Sequence, residues 1–184
     1  MFVHNIDEEV SLKLVERSDA ERIFELTDRS RSGLREWLPW LDFTITIDDT
    51  KNFIAHALGD FALGKSLNCA IVYKGKLVGI AGFNEINQAK KTAYIGYWLD
   101  ENYQGKGIMT RVAAALTDYA LTEQGLNKVE IRAAIGNEKS RAIPKRLGYI
   151  EEGTIRQGEW LYDHLVDSVV YGMLQSEWAS SDRK

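Results

Sequence analysis

Apolar residues fall at alternate positions in Val10, Leu12 and Leu14, the two-residue period of a strand with one face buried. The period then lengthens. Ser18-Asp19-Ala20-Glu21 has the residue types of a capping box, and Ile23, Phe24 and Leu26 follow as one helix face. Residues 33–41 crowd Leu34, Trp37, Leu38, Trp40 and Leu41 around Pro39, and Asp48-Asp49 opens a second helix carrying Phe53, Ile54, Ala57, Leu58 and Phe61. Alternation returns at Cys69, Ile71 and Tyr73, enters the turn Lys74-Gly75-Lys76 and resumes over residues 77–83, which predicts a hairpin. Residues 92–99 read as a strand and residues 111–123 as an amphipathic helix. A strand over residues 128–133, a short helix over 138–147 stopped by Gly148, and strands over 149–155 and 165–174 complete the chain. No repeat, low-complexity stretch or interdomain linker interrupts it, so residues 1–184 are expected to form one domain.

Composition narrows the function classes without choosing among them. A chain of 184 residues with 45% hydrophobic and 27% charged residues is long and apolar enough for a core of its own. The net charge of −4, from 23 basic and 27 acidic residues without a basic block, does not point to a nucleic-acid surface. The apolar runs are far shorter than a bilayer span, and Met1-Phe2-Val3-His4-Asn5 lacks the regions of a signal peptide. The single cysteine, Cys69, permits no internal disulfide and fits a reducing cytoplasm, where it is expected to pack in the core. His4, His56 and His164 have no metal-ligand spacing, so no metal is expected.

The chemistry concentrates where the strand over residues 92–99 meets the following helix. Gln104-Gly105-Lys106-Gly107-Ile108-Met109-Thr110 is a glycine-bearing turn leading into a helix start. Unpaired amides and the positive end of the helix dipole make such a junction an anion site. Two glycines let the backbone approach a phosphate without an intervening Cβ, and Lys106 adds positive charge. The spacing matches neither a Walker loop nor a G-x-G-x-x-G dinucleotide turn.

Several further segments accompany this turn. They are Tyr94-Ile95-Gly96-Tyr97-Trp98-Leu99-Asp100, Asn137-Glu138-Lys139-Ser140, Leu147-Gly148-Tyr149 and Glu151-Glu152-Gly153. With them, residues 77–174 resemble the GNAT superfamily of acyl-CoA-dependent N-acyltransferases, and more narrowly the RimJ/RimL-type acetyltransferases of ribosomal-protein amino termini. Leu12-Lys13-Leu14 and Leu34-Arg35-Glu36-Trp37-Leu38-Pro39-Trp40 extend the likeness over nearly the whole chain. The resemblance implies an α+β (mixed α/β) fold, with helices on both faces of a sheet of about seven strands that splays between its fourth and fifth strands. It implies acetyl-CoA in that opening. The pantetheine arm pairs with the backbone of Tyr97, Trp98 and Leu99, and Asn137 steadies its amides. The pyrophosphate lies on the amides of Gln104, Gly105, Lys106, Gly107, Ile108, Met109 and Thr110. Met109 stands where the family usually has glycine or alanine, so its side chain is expected to point away from the phosphates.

The implied reaction is aminolysis of a thioester: a free amine attacks the acetyl carbonyl, an oxyanion forms, and coenzyme A leaves as thiolate. An α-amino group, with a pKa of roughly 7.7–8.0, needs only a modest base. A backbone N–H of the splayed strand can hold the oxyanion. By resemblance, Ser140 lies beside the sulfur and Glu159, within Gln157-Gly158-Glu159-Trp160-Leu161, lies over the amine. Read on their own, Ser140 is a helix-start residue bonding backbone and Glu159 a solvated loop carboxylate. Two residues usual in the superfamily are missing. Tyr94 stands in place of a glutamate, and Pro144 in place of a tyrosine acid, which shifts weight to Ser140 and Glu159. Pro144 also removes the helix bond that would end on the Ser140 carbonyl. Glu85 is a fallback base, Asp163 and Asp167 are candidates for the amine pocket, and the Trp37–Trp40 region is either core or acceptor wall. Transfer to a protein N-terminal α-amine is favoured. Transfer to a polyamine, amino sugar or antibiotic, and a non-catalytic acyl-CoA-binding module, are the alternatives. The resemblance further implies a homo-oligomer, with a dimer as the minimal unit.

Overall fold

The computed structural model describes residues 3–180. Its strands are β1 (Val3–Asn5), β2 (Val10–Leu14), β3 (Leu67–Tyr73), β4 (Lys76–Asn87), β5 (Thr92–Leu99), β6 (Lys128–Ala134), β7 (Ile150–Leu161) and β8 (His164–Leu174). Its helices are α1 (Ala20–Arg29), α2 (Arg31–Arg35), α3 (Ile47–Ala62), α4 (Ile108–Asp118), α5 (Glu138–Arg146) and α6 (Gln175–Ser180). The strands form one sheet in the order β1-β2-β3-β4-β5-β6-β8-β7. Lys74 and Gly75 turn the chain between β3 and β4 with φ of 49° and 76°. Those left-handed values match the strand twist of a two-residue hairpin.

Every neighbouring pair of strands is antiparallel except β5 and β6. A parallel pair needs a crossover connection, and α4 supplies it. The parallel pairing runs from Thr92↔Lys128 to Ile95↔Ile131 and then stops. Beyond that point β5 stays paired with β4 as far as Leu99, and β6 stays paired with β8 as far as Ala134. The sheet therefore opens between the ends of β5 and β6. This is the splay implied above, with the strand numbers raised by one because β1 precedes them. Three exposed residues carry no alternation signal, which is why β1 is not legible in the sequence.

The core lies on both faces of the sheet. Ala70 and Ile80 pack with Ile23 of α1 and with Ile54 and Ala57 of α3 on one face. Leu12, Ile71 and Ala81 pack with Ile108, Val112 and Leu116 of α4 on the other. Cys69 is buried there, and burial pushes its thiol up to about 12, so it is a packing group. No helix among the described residues is long and apolar enough to cross a membrane.

Local signals were overridden in four places. The capping box expected at Ser18 is displaced: Glu16 and Asp19 cap each other around the 3-10 turn Arg17–Asp19, where Asp19 also meets the buried Lys13 ammonium at 2.5 Å. Helix α3 begins earlier, on a Thr46–Asp49 box, and its Phe53 and Phe61 are 40% and 45% exposed, not core residues. The helix expected from residue 111 starts at Ile108, because Gly107 is its N-cap, and closes in a wide turn over Tyr119–Glu123. Strands β4 and β7 both outrun their hydrophobic patterns, since nearly all of β7 is solvent-exposed and carries no burial period.

One buried ion pair fixes the start of the glycine turn. Asp100 is fully buried at the end of β5, where its carboxylate accepts from the Asn102 amide at 2.9 Å and the Asn102 side chain at 3.1 Å, and from the Arg29 guanidinium. Removing one member of a buried pair strands the other charge and typically costs about 3–5 kcal/mol. Arg29 is 40% exposed, so Arg29→Ala is expected to cost less, about 2–3 kcal/mol. Denaturant unfolding will show this as a lower midpoint at unchanged slope.

Candidate active site

The glycine turn leaves β5 through the 3-10 turn Glu101–Tyr103 and enters α4 at Ile108. Gly105 and Gly107 have φ of 75° and 70°, a conformation that only glycine adopts without strain. A Cβ built on either meets nothing within 4 Å, so the backbone face at both positions is open. The first N–H groups of α4 have no acceptor within their own helix and point out of its end. Lys106 sits over the Tyr103 ring at 4.9 Å, and Lys139 of α5 reaches Gln104 at 3.4 Å, bringing two cations to the turn. Met109 is buried in the core with Ile108, so its side chain points away from this face as expected. The arrangement fits a pyrophosphate: glycine amides, a helix start and lysines converge there, and no carboxylate lies among residues 104–110.

A cavity of about 720 Å³ occupies the opening between β5 and β6. Tyr97 and Trp98 of β5, Asn137 and Ser140 at the start of α5, and Glu159 of β7 all line it. Leu99 is buried in the core beyond the cavity, and residues 104–110 lie outside the cavity wall, nearer the end of β5. Asn137 caps α5, accepting from the Ser140 amide at 3.1 Å. The Tyr97 hydroxyl donates to the Ser140 carbonyl at 3.1 Å, and the Ser140 hydroxyl lies 3.3 Å from the Tyr97 oxygen. Burial pushes the Tyr97 phenol well above its ordinary range, so it is a neutral hydroxyl at neutral pH.

Glu159 owes its position to an irregular strand. Pairing between β7 and β8 slips between Ile155 and Glu159, where Gln157 takes φ of 52° and its amide donates to Asp167 at 2.8 Å. Such bulges re-aim the residues that follow, and here Glu159 is delivered to the cavity wall. Its side chain reaches solvent, yet the surrounding protein raises its pKa by partial burial. Tyr94 lies on the same wall with the Arg132 guanidinium 5.2 Å from its ring centre. Burial, opposed by Arg132, holds the Tyr94 phenol above its ordinary range. Arg132 is itself tied to Glu130 at 2.8 Å.

The opposite wall is aromatic. Trp37, Leu38, Pro39 and Trp40 line the cavity, and Trp40 meets Trp98 at 6.3 Å between ring centres. The Tyr162 hydroxyl, from the turn between β7 and β8, donates to the Leu38 carbonyl, and Arg35 lies 3.8 Å over the Tyr162 ring. These contacts fasten the aromatic segment to the final hairpin. Asp163 pairs with His164 at 2.7 Å and Asp167 binds the Gln157 amide, so neither lines the cavity. Glu85 is exposed and does not line it either. Sequence reasoning did not single out Arg132, Asn84 or the pocket role of Phe53. The one available signal for Asn84 is indirect: its side chain lies against Gly96, where any Cβ would come within 2.3 Å. Among the described residues no group of His, Cys, Asp and Glu is placed to hold a metal.

Comparisons with known proteins agree with this geometry. Residues 9–150 match the family model described as acetyltransferase (GNAT) domain. The Bacillus subtilis (strain 168) protein YdaF, named provisionally as a ribosomal N-acetyltransferase, is 35% identical over 97% of this chain and 98% of its own length. The ribosomal-protein-serine acetyltransferase of Escherichia coli (strain K12) is 28% identical over 92% of this chain and 94% of its own. Among solved structures, the microcin C7 self-immunity acetyltransferase MccE, in complex with acetyl-CoA and AMP, superimposes with a TM-score of 0.88. It is 31% identical, over 92% of this chain and 94% of that one. With the splayed sheet, the glycine turn on a helix start and the cavity between them in place, the chain belongs to the GNAT acetyltransferases and is an acetyl-CoA-dependent N-acetyltransferase.

Proposed function

We propose that the acceptor is the N-terminal α-amino group of a protein, a ribosomal protein in the first instance, and that it attacks the thioester directly. The character of the cavity carries this reading. Glu159 is its one carboxylate among the described residues, Arg132 adds a positive charge, and the rest of the wall is neutral or apolar. A single α-amine needs one modest base. A polyamine carries several positive charges, and each charge taken from water needs a partner. The ribosomal names of similar proteins point the same way. Thiol release should be measured over peptides starting with different residues, with polyamines and aminoglycosides in parallel. Turnover is expected with peptides; turnover confined to the small amines would replace this reading, and binding without turnover would make the protein a non-catalytic module. We place the activity in the cytoplasm, the compartment that suits a chain whose single cysteine permits no internal disulfide.

Each residue has an assigned task. Past Ile95 and Ile131 the facing edges of β5 and β6 are unpaired, and the backbone of Tyr97, Trp98 and Leu99 offers that edge to pantetheine as to an added strand. Asn137 uses its side-chain oxygen on the Ser140 amide, which leaves its NH₂ for a pantetheine carbonyl. The amides from Gln104 through Thr110 take the pyrophosphate, with Lys106 beside them. Glu159 takes the proton of the incoming amine, and Ser140 donates to the departing sulfur. A dimer is the expected assembly. β7 is an edge strand with exposed Ile150, Ile155 and Trp160, the kind of surface a second copy covers. Light scattering that finds only monomer at micromolar concentration would remove the dimer and leave the chemistry intact.

Two measurements test the site itself. Valine at Gly105 and Gly107 places side chains on the open phosphate face and adds about 1–2 kcal/mol of backbone strain at each position. Calorimetry on the folded double variant is expected to show at least tenfold weaker acetyl-CoA binding, roughly the loss of one or two good amide contacts; unchanged affinity would refute the assignment of the turn. Glu159→Gln should slow turnover most at low pH, by about 10²-fold or more. The deficit should shrink as pH passes the amine's own pKa of roughly 7.7–8.0, because deprotonated substrate needs no base. The raised pKa of Glu159 means it becomes an ionised base later than an ordinary carboxylate, so the wild-type acid limb should lie above the usual carboxylate range. A pH–rate profile with a deficit independent of pH would count against Glu159 as base.

A further inference from the structure

Proline at position 144 has a consequence forty-seven residues earlier in the chain. In a helix the carbonyl of Ser140 would accept from the amide of residue 144, but Pro144 has no N–H to give. The helix is regular around this gap, since the Arg141 amide reaches the Asn137 carbonyl at 3.0 Å. A half-buried carbonyl without its helix partner needs another donor. That donor comes from the opposite arm of the opening: the Tyr97 hydroxyl on β5, at 3.1 Å.

The direction of the second contact follows. Tyr97 has one hydroxyl proton, and the Ser140 carbonyl can only accept, so that proton is committed to the carbonyl. The 3.3 Å contact between the two hydroxyls is then a bond in which Ser140 donates and Tyr97 accepts. Ser140 is held by three bonds: its amide to Asn137, its carbonyl from Tyr97 and its hydroxyl to Tyr97.

We propose that Tyr97 is a positioning residue for the transfer step: its hydroxyl, seated on the carbonyl that Pro144 frees, parks the Ser140 proton until the departing sulfur becomes charged. The proposal rests on the reading of Ser140 as the donor beside the sulfur. A thioester sulfur is a poor acceptor, and a phenol oxygen is a better one. The Ser140 hydroxyl therefore stays on Tyr97 while the thioester is intact. A thiolate outcompetes the phenol, and the hydroxyl turns to it as a hydrogen-bond donor without giving up its proton. The interaction is thus made late on the reaction path, where it lowers the barrier without tightening ground-state binding. Tyr97 keeps its bond to the carbonyl throughout, so the serine returns to the same place.

The test is a double-mutant cycle on Tyr97→Phe and Ser140→Ala with a working amine acceptor. Tyr97→Phe keeps the ring and its packing while removing the acceptor oxygen. It is expected to lower kcat about fivefold, the scale of one oriented hydrogen bond. The KM for acetyl-CoA should stay within about twofold, since the interaction is absent from the ground state. Ser140→Ala is expected to lower kcat by about 10²-fold, and the double variant should be no slower than Ser140→Ala alone, because the two hydroxyls act as one unit. Multiplying losses in the double variant would overturn the proposal, as would a Tyr97→Phe protein with normal kcat or one impaired only in KM. Full activity in Ser140→Ala would instead remove Ser140 as the donor, and this proposal with it.

Discussion

The structure turns on a shortage of hydrogen bonds between two parallel strands. β5 and β6 pair as far as Ile95 and Ile131 and then part, while each remains bonded to its outer neighbour. Backbone groups left along an opened edge must find partners elsewhere, and an extended chain is what such an edge accepts. The same divergence creates the volume in which an amine and a thioester can meet. Closing it by continued pairing would build a better sheet and no enzyme. Both faces of the sheet support the opening: α4 packs on one, and α1 and α3 cover the other.

The chemistry inside is deliberately modest. The cavity holds one carboxylate, Glu159, beside neutral hydroxyls and an aromatic wall, and an α-amine, already close to its free form at neutral pH, asks for little more under the reaction proposed above. Positioning then carries much of the rate, since holding reactants in attack geometry replaces a collision by a first-order step. This explains the effort spent on anchorage. Asp100 is buried with Arg29 where the glycine turn begins, Asn137 caps the helix that carries Ser140, and Tyr162 binds the aromatic wall to the final hairpin.

Much of this was legible without coordinates wherever a local signal and the tertiary environment agreed. The alternation of Val10, Leu12 and Leu14 gave a strand with the same limits as β2, Lys74-Gly75 gave the hairpin between β3 and β4, and Gly148 ended α5 with φ of 78°. Departures occur where surface replaces burial. β1 and the outer half of β7 are exposed, so hydrophobic period has nothing to report, and Glu159 consequently read as a loop residue although it is paired with Val166 across the hairpin. Phe53 looked like core because it is apolar and helical, yet it lines the cavity mouth.

By itself the sequence determined the order of the elements after β1, the place of the glycine turn and the helix donor missing at Pro144, because each is a property of neighbouring residues and their backbone preferences. It also determined that the Ser140 carbonyl would lose its helix partner. Who replaces that partner is a different kind of question. Tyr97 is forty-three positions away, and its hydroxyl reaches Ser140 only because β5 and α5 stand on opposite sides of the opening. The three-dimensional structure alone decided that, and it delivers to the cavity wall the Glu159 that the resemblance implied and the local pattern did not: distance in space depends on how strands and helices are packed, which the local period of a chain does not encode.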